Sequence, residues 1–135
     1  MKHFSLGLLL LLAISLLSFE KAPYSKTHVE IFIREVFADQ ADTLVLNSPS
    51  NRYNIIVDFL QRFEIVSMPE YAEKEFALLS SVPLMNKYNP GLRRDIVVDV
   101  VTFNPLKYQF PFYSKSKEIF RIDGTNLLIV IQPAK

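Results

Sequence analysis

Residues 118–132 read EIFRIDGTNLLIVIQ, and this stretch decides the fold. Two apolar runs flank Asp123-Gly124, the pair favoured at the centre of a type I′ turn, so the stretch predicts a β-hairpin. Its second arm, Leu127 to Ile131, is apolar on both sides, which predicts a strand covered on both faces at the centre of a sheet.

Moving back along the chain, LKYQFPFY (106–113) alternates. Leu106, Tyr108, Phe110 and Phe112 fall on one side, Lys107 and Gln109 on the other. Pro111 removes a ladder donor and assigns this strand to an edge, which it partly blocks to an incoming partner strand. DIVVDVVTF (95–103) is rich in β-branched residues and reads as a further strand. On such a strand Asp95 and Asp99 share a face, about 13 Å apart at ~3.3 Å per residue. The C-terminal part is therefore an antiparallel meander of about four strands.

The N-terminal part has a helical period. In THVEIFIREVFADQA (27–41), Val29, Phe32, Ile33, Val36 and Phe37 form one face, with Ile31 off it. Thr27 with Glu30 makes a capping box, and the helix extends to about Ala41. TLVLN (43–47) is a short strand or a loop packed on the core. Ser48-Pro49, or Ser50, starts a second, largely buried helix carrying Tyr53, Ile56, Val57, Leu60 and Phe63, with Ile55 and Phe59 as a second stripe. FEIVS (63–67) leaves it as a short strand. Ser67 with Glu70 is a second capping box, with Val66 and Tyr71 as its staple. It predicts a third helix with Ala72, Phe76 and Leu79 inside, ending near Ser81 before Pro83. The expected fold is α+β: about three N-terminal helices on one face of a C-terminal antiparallel sheet.

YNPGL (88–92) and FNPL (103–106) repeat an aromatic–Asn–Pro theme on either side of the 95–103 run. Proline presets φ, and asparagine bonds its own backbone in a turn. Both copies read as turn punctuation with the aromatic as an anchor. They are too short to be a structural repeat.

The first eighteen residues differ from the rest. After the basic start MKH, Phe4 to Leu17 carries no charge. About 20 residues are needed to span a bilayer, so this shorter run reads as the apolar core of an export signal, with Ala13 and Ser15 as small residues before a cleavage point. An uncleaved signal anchor is the alternative, and only then would the chain contact a membrane. Residues 19–26 are a polar connector, and 27–135 form a single domain. The resulting protein is exported: periplasmic, extracellular or membrane-tethered.

Composition narrows the chemistry. Fifteen Lys+Arg balance fourteen Asp+Glu, with no basic stripe of the kind that nucleic-acid binding requires. With no cysteine there is no disulfide, thiol nucleophile or Cys-ligated zinc. Three glycines, at 7, 91 and 124, leave no phosphate-binding loop and no nucleophile elbow. The sequence points to no catalytic group, metal or cofactor. His28 stands alone near a helix start, and Asp95 and Asp99 are too far apart for paired-carboxylate glycoside chemistry. They are expected to face solvent or to pair with Arg93, Arg94 or Arg121.

The aromatics Tyr88, Phe103, Tyr108, Phe110, Phe112, Tyr113 and Phe120 read mainly as core, with Tyr88 and Tyr113 the pair expected at the surface. The candidate binding residues are therefore Tyr88, Asn89, Arg93, Arg94, Asp95, Asp99 and Tyr113. The expected function is a non-catalytic module of the cell envelope that binds a protein, peptide or glycan. Two alternatives remain: a small exported hydrolase using Asp95, Asp99 or His28, and a membrane-tethered structural partner of an envelope complex.

Overall fold

The structure, a computed structural model, describes residues 24–135. The export-signal reading of residues 1–18 lies outside them.

Helix α1 spans Lys26–Phe37 and buries the five residues that the period selects: Val29, Phe32, Ile33, Val36 and Phe37. Ser25, not Thr27, is its N-cap, and the Ser25 hydroxyl accepts the His28 N–H at 3.1 Å. The helix stops four residues short of the expected Ala41. Ala38 turns to φ 49° and ψ −125°, and a 3₁₀ turn (Ala38–Gln40) and a π-turn (Asp42–Leu46) follow. TLVLN is thus helical rather than extended, and it buries Val45.

Helix α2, Arg52–Arg62, follows Asn51 and buries Ile56, Phe59 and Leu60. Neither Ser48 nor Ser50 is its N-cap. Asn51 takes that place, and its side-chain oxygen accepts from Asn54 Nδ2 rather than from a backbone N–H. The helix passes directly into strand β1, Phe63–Ser67, as FEIVS suggests.

The third helix does not form. Residues 67–81 hold one 3₁₀ turn at Pro69–Tyr71, strand β2 at Ala77–Leu78 and a second 3₁₀ turn at Leu79–Ser81. Ala72, an expected inner residue, is exposed, so the helical face has too little to bury. Arg121 Nη2 binds the carbonyls of Tyr71 (2.6 Å) and Lys74 (2.9 Å), acceptors that a helix would use for its own ladder.

Strands β3 (Glu118–Arg121) and β4 (Leu127–Ile131) form the expected hairpin, and β4 is central in the order β1-β4-β3-β2. The sheet is mixed rather than antiparallel. β4 pairs antiparallel with β1 and β3, while β2 runs parallel to β3. The hairpin turn is not type I′, which needs positive φ at both central residues. Only Gly124 has it (φ 70°), and Thr125 N–H closes the turn on the Ile122 carbonyl at 3.1 Å.

The register places Phe63, Ile65, Ile129, Ile131 and Phe120 on one face, where they share a core with α1 and α2. Leu128, Val130 and Arg121 lie on the other, where Arg121 holds the 71–74 turn.

Two expected strands are absent. Residues 95–103 form a loop closed by Asp99, whose carbonyl accepts from Thr102 and Phe103 N–H and whose Oδ1 accepts from Val101 N–H. Neither stretch joins the β1-β4-β3-β2 sheet, and β-propensity alone supplies no partner. Residues 106–113 begin in a 3₁₀ turn, Pro105–Lys107, and make one isolated bridge, Leu84 to Tyr108. Leu106, Tyr108 and Phe110 are still buried, but so is Lys107, which alternation sends outward.

Candidate functional site

The repeated Asn-Pro motifs act as a pair of clamps on α1. In each, the asparagine Oδ1 accepts the backbone N–H two residues on: Gly91 at 3.2 Å and Leu106 at 3.0 Å. In each, Nδ2 donates to a carbonyl of α1: Asn89 to Glu35 at 2.8 Å, and Asn104 to Phe32 at 3.1 Å. The preceding aromatic then stacks on the core, Tyr88 on Phe37 and Phe103 on both Phe63 and Tyr108. Tyr88 and Asn89 are therefore half-buried structural residues, not a surface loop. The sequence showed the turn half of this device. The α1 half depends on contacts more than 50 residues apart.

Between the two clamps runs the loop that carries most of the sequence candidates. Asp95 accepts the Tyr108 hydroxyl at 2.6 Å and Lys107 Nζ at 3.3 Å, and its N–H donates to the Tyr108 oxygen at 3.0 Å. Its cationic partner is thus Lys107, and not one of the three arginines expected. Burial, with the hydrogen bond that the hydroxyl donates to the Asp95 carboxylate adding to it, pushes Tyr108 up to about 12. Arg94 lies over the Tyr108 ring and donates to the carbonyls of Leu79 and Val82. Arg93 is exposed. Asp99 serves its own turn, and no contact brings it to Asp95. His28 is exposed and bonds Ser25. Among the described residues no three His, Cys, Asp or Glu side chains gather to hold a metal, and no helix is long and apolar enough to cross a membrane.

The side chains between these polar anchors point into water. Ile96 is 99% exposed, Val97 84%, Val101 80% and Val100 48%. Single exposed aliphatics are ordinary; four within six residues are not. Sequence reasoning passed over them because β-branched runs normally pack. Nearby, Ser80 donates to Asp123 through its hydroxyl (2.5 Å) and its N–H (3.1 Å), and this hydroxyl bond holds the Asp123 carboxyl below its usual range.

Tyr113 belongs to a different site. It is 70% exposed on the rim of a cleft of about 800 Å³ between α1, α2 and residues 106–114. Val36, Phe37, Ile56, Met85, Leu106 and Phe110 contribute to its apolar wall. Arg62 braces the far side, bonding the Phe112 carbonyl at 2.6 Å and the Gln132 carbonyl at 2.9 Å while paired with Asp58.

Compared with known proteins, the chain matches no protein-family model, no curated protein and no solved structure.

Proposed function

We propose that this protein is a non-catalytic interaction module of the cell envelope, exported by its Phe4–Leu17 stretch, and that it engages a protein partner through the 95–101 loop. The observation that carries the reading is the exposure of Ile96, Val97, Val100 and Val101 on a loop whose base is fixed by Tyr108, Lys107 and Asn104. A fixed base limits the ordering cost of binding, so apolar contact translates into affinity. Burial of these four side chains supplies several kcal/mol, at about 1.5–3 kcal/mol for each fully buried aliphatic. A protein is favoured over a glycan because the exposed side chains here are aliphatic, with no aromatic platform.

The test is site-specific photocrosslinking in the producing cell, with the probe at Val97 and, as control, at exposed Glu73. The reading expects one discrete adduct from Val97, identified by mass spectrometry and lost in an Ile96→Ser/Val101→Ser background. Equal labelling from both positions, or an adduct indifferent to those substitutions, would refute it. Fractionation of the same cells tests export, and recovery only from the cytoplasm would remove the envelope from the reading.

A further inference from the structure

We propose that the cleft between α1, α2 and residues 106–114 is a second binding site, independent of the loop, which takes a single-chain amphiphile with a carboxylate head. Two observations converge. The cleft, about 800 Å³, lies within the size range of small-molecule sites, and its wall is aliphatic and aromatic, as an alkyl chain requires. Among the described residues its one charged lining residue is Arg52, which is exposed and has no acidic partner there. An unpaired guanidinium at the mouth of an apolar cleft matches a ligand with an anionic end and an apolar body.

Past Tyr113 the surface continues into a depression of about 490 Å³ bearing Asp58, Arg62, Lys115 and Lys135. Asp58, the acid there, is already paired with Arg62 at 3.0 Å. Lys115 donates to the Lys135 main-chain oxygen at 2.8 Å, so Arg52 is the cation that, with no acidic partner among the described residues, favours an anion at the mouth. Tyr113 and Gln109 stand on the rim as hydrogen-bond donors for a head group. The alkyl tail runs inward past Met85 and Phe112, where Met suits chains of variable shape.

The test is calorimetric titration of the full chain with octanoate, decanoate and the matched alkanols, all below their aggregation limits. Each methylene buried tightens binding about fourfold, so decanoate exceeds octanoate by roughly fifteenfold. Decanoate exceeds decanol, and Arg52→Ala weakens decanoate about tenfold while leaving decanol unchanged. Arg52→Lys restores part of the loss. Circular dichroism confirms that each variant is folded, and amide shift changes for decanoate cluster at Met85, Gln109 and Tyr113. Equal binding of acid and alcohol, or no effect of Arg52→Ala, overturns the anionic head. Chain-length independence, or shifts elsewhere, overturns the cleft as the site. Selective uptake of an apolar peptide with no response to either alkyl series overturns the ligand class. None of these outcomes bears on the Val97 adduct.

Discussion

Replacing Asn104 by alanine tests whether the FNPL motif is a clamp or merely a bend. The side chain is 4% exposed and makes three hydrogen bonds. Nδ2 donates to the Phe32 carbonyl (3.1 Å) and to Glu35 Oε1 (3.0 Å), and Oδ1 accepts the buried Leu106 N–H (3.0 Å). Alanine removes all three. The Phe32 carbonyl keeps its helical donor, and exposed Glu35 turns to water, so each of these losses costs about 0.5–1.5 kcal/mol. The Leu106 N–H has neither recourse, and an unsatisfied buried donor costs about 1–3 kcal/mol. The sum is about 4 kcal/mol, which in a domain of this size lowers Tm by roughly 15–25 °C. Asn104→Asp sharpens the test, because it keeps the acceptor for Leu106 but sets a carboxylate against the Phe32 carbonyl and Glu35. At neutral pH it is at least as damaging as alanine, and it recovers as pH falls and a carboxyl becomes a donor. Urea denaturation followed by circular dichroism measures both. A loss under about 0.5 kcal/mol for Asn104→Ala, or an Asn104→Asp protein of native stability at neutral pH, would refute the clamp.

Three further outcomes are expected. The Tyr108 hydroxyl titrates at about 12 in the folded chain against 10 ordinarily, so its contribution is complete below pH 10 and is lost as pH rises to 12. Urea midpoints should fall across that window in the native chain, and Tyr108→Phe should flatten that dependence. Ala38 holds φ 49°, where a side chain is strained, so Ala38→Gly should raise stability by about 1 kcal/mol; Gly124→Ala, at φ 70°, should lower it by a similar amount. Calorimetric Tm values of the two variants moving in the same direction would contradict this. Arg62→Ala breaks bonds to the Phe112 and Gln132 carbonyls and should cost about 2 kcal/mol by urea denaturation, whereas Ile96→Ser/Val101→Ser should change stability by less than about 0.5 kcal/mol.

The sequence by itself determined the elements whose pattern is both local and redundant. The buried face of α1, the passage from α2 into β1, the hairpin and the central place of Leu127–Ile131 follow from periodicity and turn chemistry, because those residues bury the same side in almost any compact arrangement. The absence of thiol chemistry follows from composition alone. What only the tertiary structure decided was competition for partners. DIVVDVVTF has strand propensity, but the Asn-Pro turns on either side are tied to α1 and Asp99 closes the stretch into a loop, so it joins no edge of the sheet. SMPEYAEKEF has a helix start, but Arg121 takes the carbonyls of Tyr71 and Lys74. The candidate sites share that origin. Arg93, Arg94, Asp95 and Asp99 were legible as candidate binding residues, but the exposed aliphatics between them were not. Tyr113 was legible as an outlier, but its cleft was not, since the walls come from Val36, Ile56, Met85 and Phe110. Pattern marks which side chains are suited to leave water; it does not fix which of them meet a neighbour that receives them, and that choice left Ile96, Val97, Val100 and Val101 exposed.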